Sequence, residues 1–273
     1  MSNSSLLKPV LDQRLATPPY APPRRTLATM LRQYLILTQI MLTEYRTTWF
    51  YHVFFGTVMP LGLIFFFKTV NGAMAVEQAI FLLGGNMAIS IAYGPTQMMI
   101  VKIGWGRETR EFDYWAMLPI PKLALILAMV SVYLVFAVPG IICSYLFGSW
   151  MFGLQPVGSL ILIPLIPLSA LSLTGFGALL GIYARTGQTA MAYAQALIGF
   201  VTFLSPMLMP LESMPRVLQM IAIFVPTTYV ADAFRLVLAG NAGSQLLYDM
   251  LILTALVVVF LMLIHRKLDW RTG

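Results

Sequence analysis

The sequence predicts an all-α membrane protein with six transmembrane helices, an N-terminal amphipathic interface helix and short re-entrant outer helices between spans five and six. Composition is the first observation behind this class: 59% of the 273 residues are hydrophobic and 10% are charged, against about 25% charged residues in an ordinary soluble domain. The second is the spacing of the charges. It leaves uncharged stretches long enough for a helix to cross a bilayer, which takes about 20 mostly apolar residues.

The N-terminal part divides into a tail and a helix. Residues 1–26, which include the run PPYAPPRR, are predicted to be a proline-rich disordered cytoplasmic tail, and residues 27–273 to form the six-span transmembrane domain. From Leu27 onward, apolar residues recur near helical spacing with polar residues between them. This pattern predicts an amphipathic helix in the inner interface. The alternative is that the same stretch extends the first span.

Six spans follow from the uncharged stretches. Four of these each fit one helix, and a fifth, residues 123–184, contains no charge and fits two helices separated by the turn-rich segment GSWMFGLQPVGS. The stretches that fit one helix are residues 47–67, 78–101 and 186–211, which are uncharged, and residues 246–264, which contain one acid, Asp249.

The segment 216–240 is too short and too broken for a seventh span. Its uncharged core, residues 217–231, has 15 residues and contains Pro226, which removes a backbone donor and disfavours helix at the preceding residue. A seventh crossing would also place the two basic ends of the chain on opposite sides. We therefore predict two short helices that dip into one leaflet from the outer side.

The basic residues favour this topology with both termini in the cytoplasm. Six spans place 14 of the 17 Lys and Arg residues inside and leave Lys68, Arg216 and Arg235 outside, which is the skew of the positive-inside rule. The inner basic residues are Lys8, Arg14, Arg24, Arg25, Arg32, Arg46, Lys102, Arg107, Arg110, Lys122, Arg185, Arg266, Lys267 and Arg271.

The predicted spans contain few side chains that could couple transport to ions or catalyse a reaction. Their ionisable groups are His52, near one end of the first span, and Asp249, in the first turn of the last, which disfavours an ion-coupled carrier. No G-x-x-x-x-G-K-[ST] motif occurs, so a phosphate-binding loop is missing. A membrane-embedded enzyme would need paired carboxylates or histidines that the sequence does not offer.

Gly177 and Gly181 have the G-x-x-x-G spacing of close helix packing, within the chain or in a dimer.

The segment GWGRETREFDYWAML, residues 104–118, is the most charged part of the chain. We predict a cytoplasmic helix in which Arg107 with Glu111 and Arg110 with Asp113 have pairing distance, while the aromatic residues Trp105, Phe112, Tyr114 and Trp115 rest on the interface. The alternative is a solvated loop that only fixes topology. Because acids do not help to fix topology, mixed charges favour a docking surface for another protein.

In these parts the sequence resembles the membrane subunit of type-2 ABC exporters, of the daunorubicin-resistance-like multidrug or glycolipid export kind. The order of parts agrees from about residue 27 to 271. The most specific stretch is SPMLMPLESMPRVLQMIAIFVPTTYVADAFRLVLAG, with a proline-rich exit from span five, a P-x-T-Y turn, an Asp-x-x-Arg pair and a closing Gly. These residues are Pro206, Pro210, Pro215, Pro226, Thr228, Tyr229, Asp232, Arg235 and Gly240.

The resemblance implies a permease subunit in the bacterial cytoplasmic (inner) membrane. It would move a hydrophobic or amphipathic compound, such as a drug, lipid or lipopeptide, outward between two six-span halves, the second being another copy or a paralogue. A separate ATPase subunit would bind ATP and Mg, and this chain would hold no cofactor or metal and have no catalytic residues. The segment that seats in the ATPase, the coupling helix, would contain Arg107, Glu108, Thr109, Arg110, Glu111, Asp113 and Tyr114.

The sequence leaves two alternatives, one for the Asp232 and Arg235 pair and one for the function. Asp232 and Arg235 would form a structural ion pair or an outer gate, and we favour the structural role because charges near a bilayer are usually paired. The second candidate function is an ATP-independent membrane scaffold or flippase-like carrier whose charged loop binds some other partner.

Overall fold

The computed structural model describes residues 27–72, 74–118, 120–155, 160–203, 210–241 and 243–267, and these ranges contain helices and turns without a strand. The predicted all-α membrane class is confirmed. The α-helices are α1 Leu27–Glu44, α2 Trp49–Asn71, α3 Val76–Ile91, α4 Gln97–Glu108, α5 Glu111–Met117, α6 Lys122–Phe152, α7 Leu162–Tyr183, α8 Gly187–Phe203, α9 Arg216–Ala222, α10 Pro226–Leu238 and α11 Ser244–Lys267.

The long apolar helices coincide with predicted spans. In the described ranges, the helices long and apolar enough to cross a membrane are α2, α3 with α4, α6, α7 and α11, which are spans one to four and six. The fifth is represented by α8, which has 17 residues. Residues 204–209 at its predicted end, with Pro206, lie outside the described residues, as does the predicted tail 1–26.

Pro95 breaks the second span into two α-helices. Because proline has no N–H, the carbonyl of Ile91 loses its helical donor, and the chain passes through a π-helical segment, Ala92–Thr96, before α4 begins. The hydroxyl of Thr96 donates to the Ile91 carbonyl at 3.2 Å. This bond satisfies the freed backbone group inside the bundle, as a membrane-spanning helix requires.

Small residues set the closest helix contacts. A Cβ on Gly177 would lie 2.8 Å from the Thr96 carbonyl oxygen, and one on Gly181 would lie 2.9 Å from that of Ile100. The G-x-x-x-G pair therefore packs α7 against the second span within the chain. On α6, Gly140 approaches the Gly56 carbonyl in the same way, and this carbonyl is the one that Pro60 leaves without a helical donor.

The N-terminal helix is separate from the first span. A 3₁₀ turn, Tyr45–Thr47, divides α1 from α2, so α1 is not a continuous extension of that span. One face of α1 is buried through Leu37 and Met41, and the hydroxyl groups of Tyr34 and Ser131 lie 2.7 Å apart between α1 and α6. Apolar residues on the other face are exposed, as expected of a helix that also contacts lipid.

The outer segment forms two short helices, as predicted. The axes of α9 and α10 are bent by 81°, and Val225, immediately before Pro226, has an extended backbone. Two hydroxyl groups of the P-x-T-Y turn hold the bend. Thr228 donates to the Ala222 carbonyl at 2.6 Å and Tyr229 to the Ile223 carbonyl at 2.9 Å. They satisfy the last carbonyls of α9, and we call this unit, residues 216–240, the outer elbow.

Candidate functional site

The charged segment is a tight turn between two helices, where the sequence predicted one helix. α4 ends at Glu108 and α5 begins at Glu111, and Arg110 between them has a left-handed backbone, φ 57° and ψ 26°. A left-handed residue ends helical register, so the expected pairing of Arg107 with Glu111 along one helix is wrong. We call residues 107–114 the coupling turn.

Arg107 and Glu108 brace the coupling turn against the neighbouring inner turn between α7 and α8. The Arg107 guanidinium donates to the carbonyls of Ile182 and Ala184 at the end of α7. The Glu108 carboxylate accepts from the backbone N–H of Gly187 at 2.6 Å. A cation at a helix C-terminus and an anion at an N-terminus both complement the helix dipole. These two side chains therefore hold α4 to α7 and α8.

An ion cluster joins three elements beside the coupling turn. The ammonium group of Lys102, on α4, lies 2.8 Å from a carboxylate oxygen of Glu44, at the end of α1, and 3.0 Å from one of Glu111, on α5. The Lys102 side chain is 12% exposed. The same Glu111 oxygen accepts from the Trp115 indole at 3.1 Å. The first turn of α5 is thereby fixed to both α4 and α1.

The aromatic residues of this segment divide into two groups. Phe112 and Trp115 are buried, and Phe112 packs against the face of α4 left open by Gly106. Their predicted position on the interface is wrong, because α5 turns its apolar face into the bundle. Tyr114, at 57% exposed, and Trp105, at 43%, keep an open surface. The exposed part of the coupling turn consists of Glu108, Thr109, Arg110 and Tyr114.

The outer elbow docks on the second span through Arg235. The Arg235 Nε donates to the Phe81 carbonyl at 3.1 Å, and its guanidinium carbon lies 3.5 Å from the centroid of the Phe81 ring. Gly84 makes room for this contact, since a Cβ there would lie 2.6 Å from the Arg235 Cγ. Gly240 ends the elbow with a positive φ of 72°, a conformation that glycine adopts without strain.

The match to known proteins covers the parts just described. A comparison with protein-family models aligns residues 32–239 with the family described as ABC-2 type transporter. The chain belongs to the ABC-2 type transporter family. Its matched region runs from α1 through the coupling turn to the end of α10 and includes more than half of the chain. A comparison with curated proteins finds no match. As an ABC-2 permease the chain is a multi-pass transport subunit and is not itself catalytic.

The ABC-2 permease contains a cavity of about 700 Å³ above the ion cluster. Residues of α2, α3, the π segment, α4, α6 and α8 line it. Glu44, Lys102 and Glu111 of the ion cluster line it as well, and we call their end of the cavity the inner end. Tyr45 lines it as well and donates to the Tyr133 hydroxyl at 3.4 Å. Burial raises the pKa of the Tyr45 phenol above its ordinary value.

Sequence reasoning found the charged segment of the ABC-2 permease but missed its partners. Glu44 is 58 residues from Lys102 along the chain, and Glu108 binds a backbone N–H 79 residues away. Backbone partners leave no residue-type signal in a sequence. The charge of Glu44 at the end of an apolar helix was the one available hint, because a lone acid on the inner side does not help to fix topology.

Proposed function

We propose that this chain is the permease subunit of an ATP-binding cassette exporter in the bacterial cytoplasmic membrane, with both termini in the cytoplasm. It moves a hydrophobic or amphipathic compound outward when a separate ATPase subunit, with bound ATP and Mg, engages the coupling turn. Two copies, or this chain and a paralogue, form the transporter. Family membership supports the transport role, and the skew of basic residues supports the orientation.

The observation that carries the proposal is the bracing of an exposed turn. Arg110 and Tyr114 point outward, while Arg107, Glu108 and Glu111 tie the base of the same turn to α7, α8, α4 and α1. A loop that only fixes topology does not need such contacts. A surface that transmits a displacement needs them, because a mobile loop would move by itself and would not move the spans.

The internal structure gives the displacement a path. A push on the coupling turn acts along α4, which is continuous as far as the π segment. That segment is the point where the second span can bend, since its hydrogen bonds are not those of a regular helix. Beyond it, α3 holds the outer elbow through Phe81 and Arg235. Movement at the inner face can therefore reach the outer elbow through one span.

Co-purification with a candidate ATPase tests the proposal. We expect a stable complex with the wild-type permease, and loss of at least tenfold in affinity for Arg110→Glu combined with Tyr114→Ala, because both side chains are exposed on the coupling turn. Glu108 is unsuitable for this test, since it also anchors Gly187. Glu77→Lys is the matched control: it reverses an exposed charge at the other end of the second span and should leave binding unchanged.

Two results would count against it. Absence of any ATPase complex with wild-type protein would favour the ATP-independent scaffold or flippase-like carrier. Equal binding by wild-type protein, the double variant and the Glu77→Lys control would show that an ATPase binds at some other surface. All variants should first elute from size exclusion at the wild-type position, so that loss of binding is not loss of fold.

A further inference from the structure

We propose that the cavity above the ion cluster binds an amphipathic cation, with the positive group at the inner end and the apolar body directed toward the middle of the second span. This inference rests on the proposed export function and names the substrate class. Its starting point is the juxtaposition of an aromatic cavity of about 700 Å³ with a cluster of two carboxylates and one ammonium group.

The walls of the cavity suit a flat or bulky apolar body. The aromatic residues Tyr51 and Phe55 on α2, Tyr93 in the π segment and Trp105 on α4 are among those that line the space. The volume falls within the range of drug-sized ligand sites, about 300–1,000 Å³. Aromatic faces attract cations as well as apolar groups, so these walls do not disfavour a positive ligand.

The inner end of the cavity has a charge imbalance that selects the sign. Glu44 directs both oxygens at Lys102, at 2.8 and 3.1 Å, and Glu111 directs one at 3.0 Å. One ammonium group neutralises one of the two carboxylates, which leaves a net charge of about −1. Lys102 is largely enclosed by its two partners, whereas Glu44 is half exposed. An anion would be repelled by the excess carboxylate, and the ammonium group of Lys102 is already paired. A cation could pair with the carboxylate that Lys102 does not neutralise.

The position of Glu111 connects this site to the coupling turn. Glu111 is the first residue of α5 and also lines the cavity. A cation that pairs with the Glu111 carboxylate weakens the salt bridge between Glu111 and Lys102. This salt bridge joins α5 to α4. Occupancy of the cavity and the position of the coupling turn are therefore linked through one side chain.

Equilibrium dialysis of the full-length permease in nanodiscs, without ATPase, tests the inference. The probes are tetraphenylphosphonium and tetraphenylborate, which have the same shape and opposite charge, with empty nanodiscs subtracted to remove lipid partitioning. We expect saturable binding of the cation to wild-type protein at one site and at least tenfold weaker binding of the anion. Saturable binding of the anion alone, or of neither probe, would overturn the inference.

A charge series tests the site itself. Glu44→Gln and Glu111→Gln each bring the cluster to zero and should weaken cation binding about tenfold, and the double variant should favour the anion. Lys102→Met should strengthen cation binding. Glu77→Gln, outside the cavity, is the control. Affinities that do not follow cluster charge in variants that fold normally would overturn the proposal. ATPase co-purification is measured separately, so a failed binding series leaves the export function standing, and lost ATPase binding leaves the cation site standing.

Discussion

Arg110 has a backbone conformation that its residue type disfavours. For an L-residue with a side chain, the left-handed region costs about 1–2 kcal/mol, and Arg110 is the non-glycine residue of the described chain with a positive φ. A strained residue at an exposed turn is tolerated where its side chain serves a purpose that glycine cannot. This is the expected pattern if the Arg110 side chain contacts a partner.

We predict that Arg110→Gly stabilises the isolated permease and weakens its ATPase complex. Glycine relieves the strain of the left-handed backbone, so the free energy of unfolding should rise by up to about 1 kcal/mol, measured as a higher melting temperature in detergent. Arg185→Gly removes a basic residue from the neighbouring inner turn without relieving a positive φ, and should not raise the melting temperature. Equal shifts in the two variants would mean that backbone strain is not the cause.

Asp249 is a buried acid near the start of α11. Its side chain is 1% exposed and is hydrogen-bonded to the Asp232 side chain, whereas its Oδ2 has no hydrogen-bond partner among the described residues. A buried carboxylate without full hydrogen bonding is costly. Asp249→Asn, which can donate as well as accept, should therefore stabilise the protein by about 1 kcal/mol, again read as melting temperature. Glu77→Gln at an exposed site should change nothing. Destabilisation by Asp249→Asn would show that the contact with Asp232 requires a carboxyl group at this position.

Residue-level reasoning from sequence identified which side chains matter but not what they contact. Arg107, Glu108 and Glu111 were conspicuous because they are charged in an apolar chain. Their contacts depend on which helices are neighbours, and charge spacing along one segment contains no information on that. The expected pairing of Arg107 with Glu111 failed because a single left-handed residue, Arg110, changed the direction of the chain.

Helix α7 packs closely on the second span at Gly181. Gly181→Ala would place its Cβ 2.9 Å from both the Ile100 carbonyl oxygen and the Ile103 Cβ. Neither atom is the end of a flexible side chain, so the helices must separate, at a cost of about 1–3 kcal/mol. Gly199→Ala on α8 meets nothing within 4 Å and should be neutral or slightly stabilising. Comparable destabilisation by the two alanines would refute close packing at Gly181.

Proline positions show how far elements could be predicted. Pro226 was correctly predicted to separate two helices, because it follows a short apolar run and stands at the first position of α10. Pro60, Pro139 and Pro167 remain inside regular helices, whereas Pro95 produces a π segment. At Pro95 the Thr96 hydroxyl donates to the freed Ile91 carbonyl, and a count of prolines in the sequence does not contain such a contact.

The whole molecule has a well-packed centre and exposed flanks. Of the 18 most apolar consecutive residues of the second span 72% are buried, whereas the same share is 11% in α2 and 22% in α11. The exposed residues of α2 that do not line the cavity include Phe50, Phe54, Phe65 and Phe66. An apolar surface of this extent faces lipid or a second subunit. The sequence predicted that α2 crosses the membrane. It did not predict what surrounds α2, because an apolar stretch has the same composition whether it contacts lipid or protein.

Topology is the prediction on which the molecule as a whole depends. We predict that the coupling turn lies in the cytoplasm and the outer elbow outside, because six spans would then place 14 of the 17 basic residues on the inner side. Since Cys143 is the single cysteine, Cys143→Ala gives a clean background for labelling. In intact cells, an impermeant maleimide should label Asn241→Cys at the exposed end of the elbow, and should label Arg110→Cys only after permeabilisation. The background variant should stay unlabelled. Labelling of Arg110→Cys from outside would place the coupling turn beyond the reach of any cytoplasmic ATPase and would remove the basis of the proposed function.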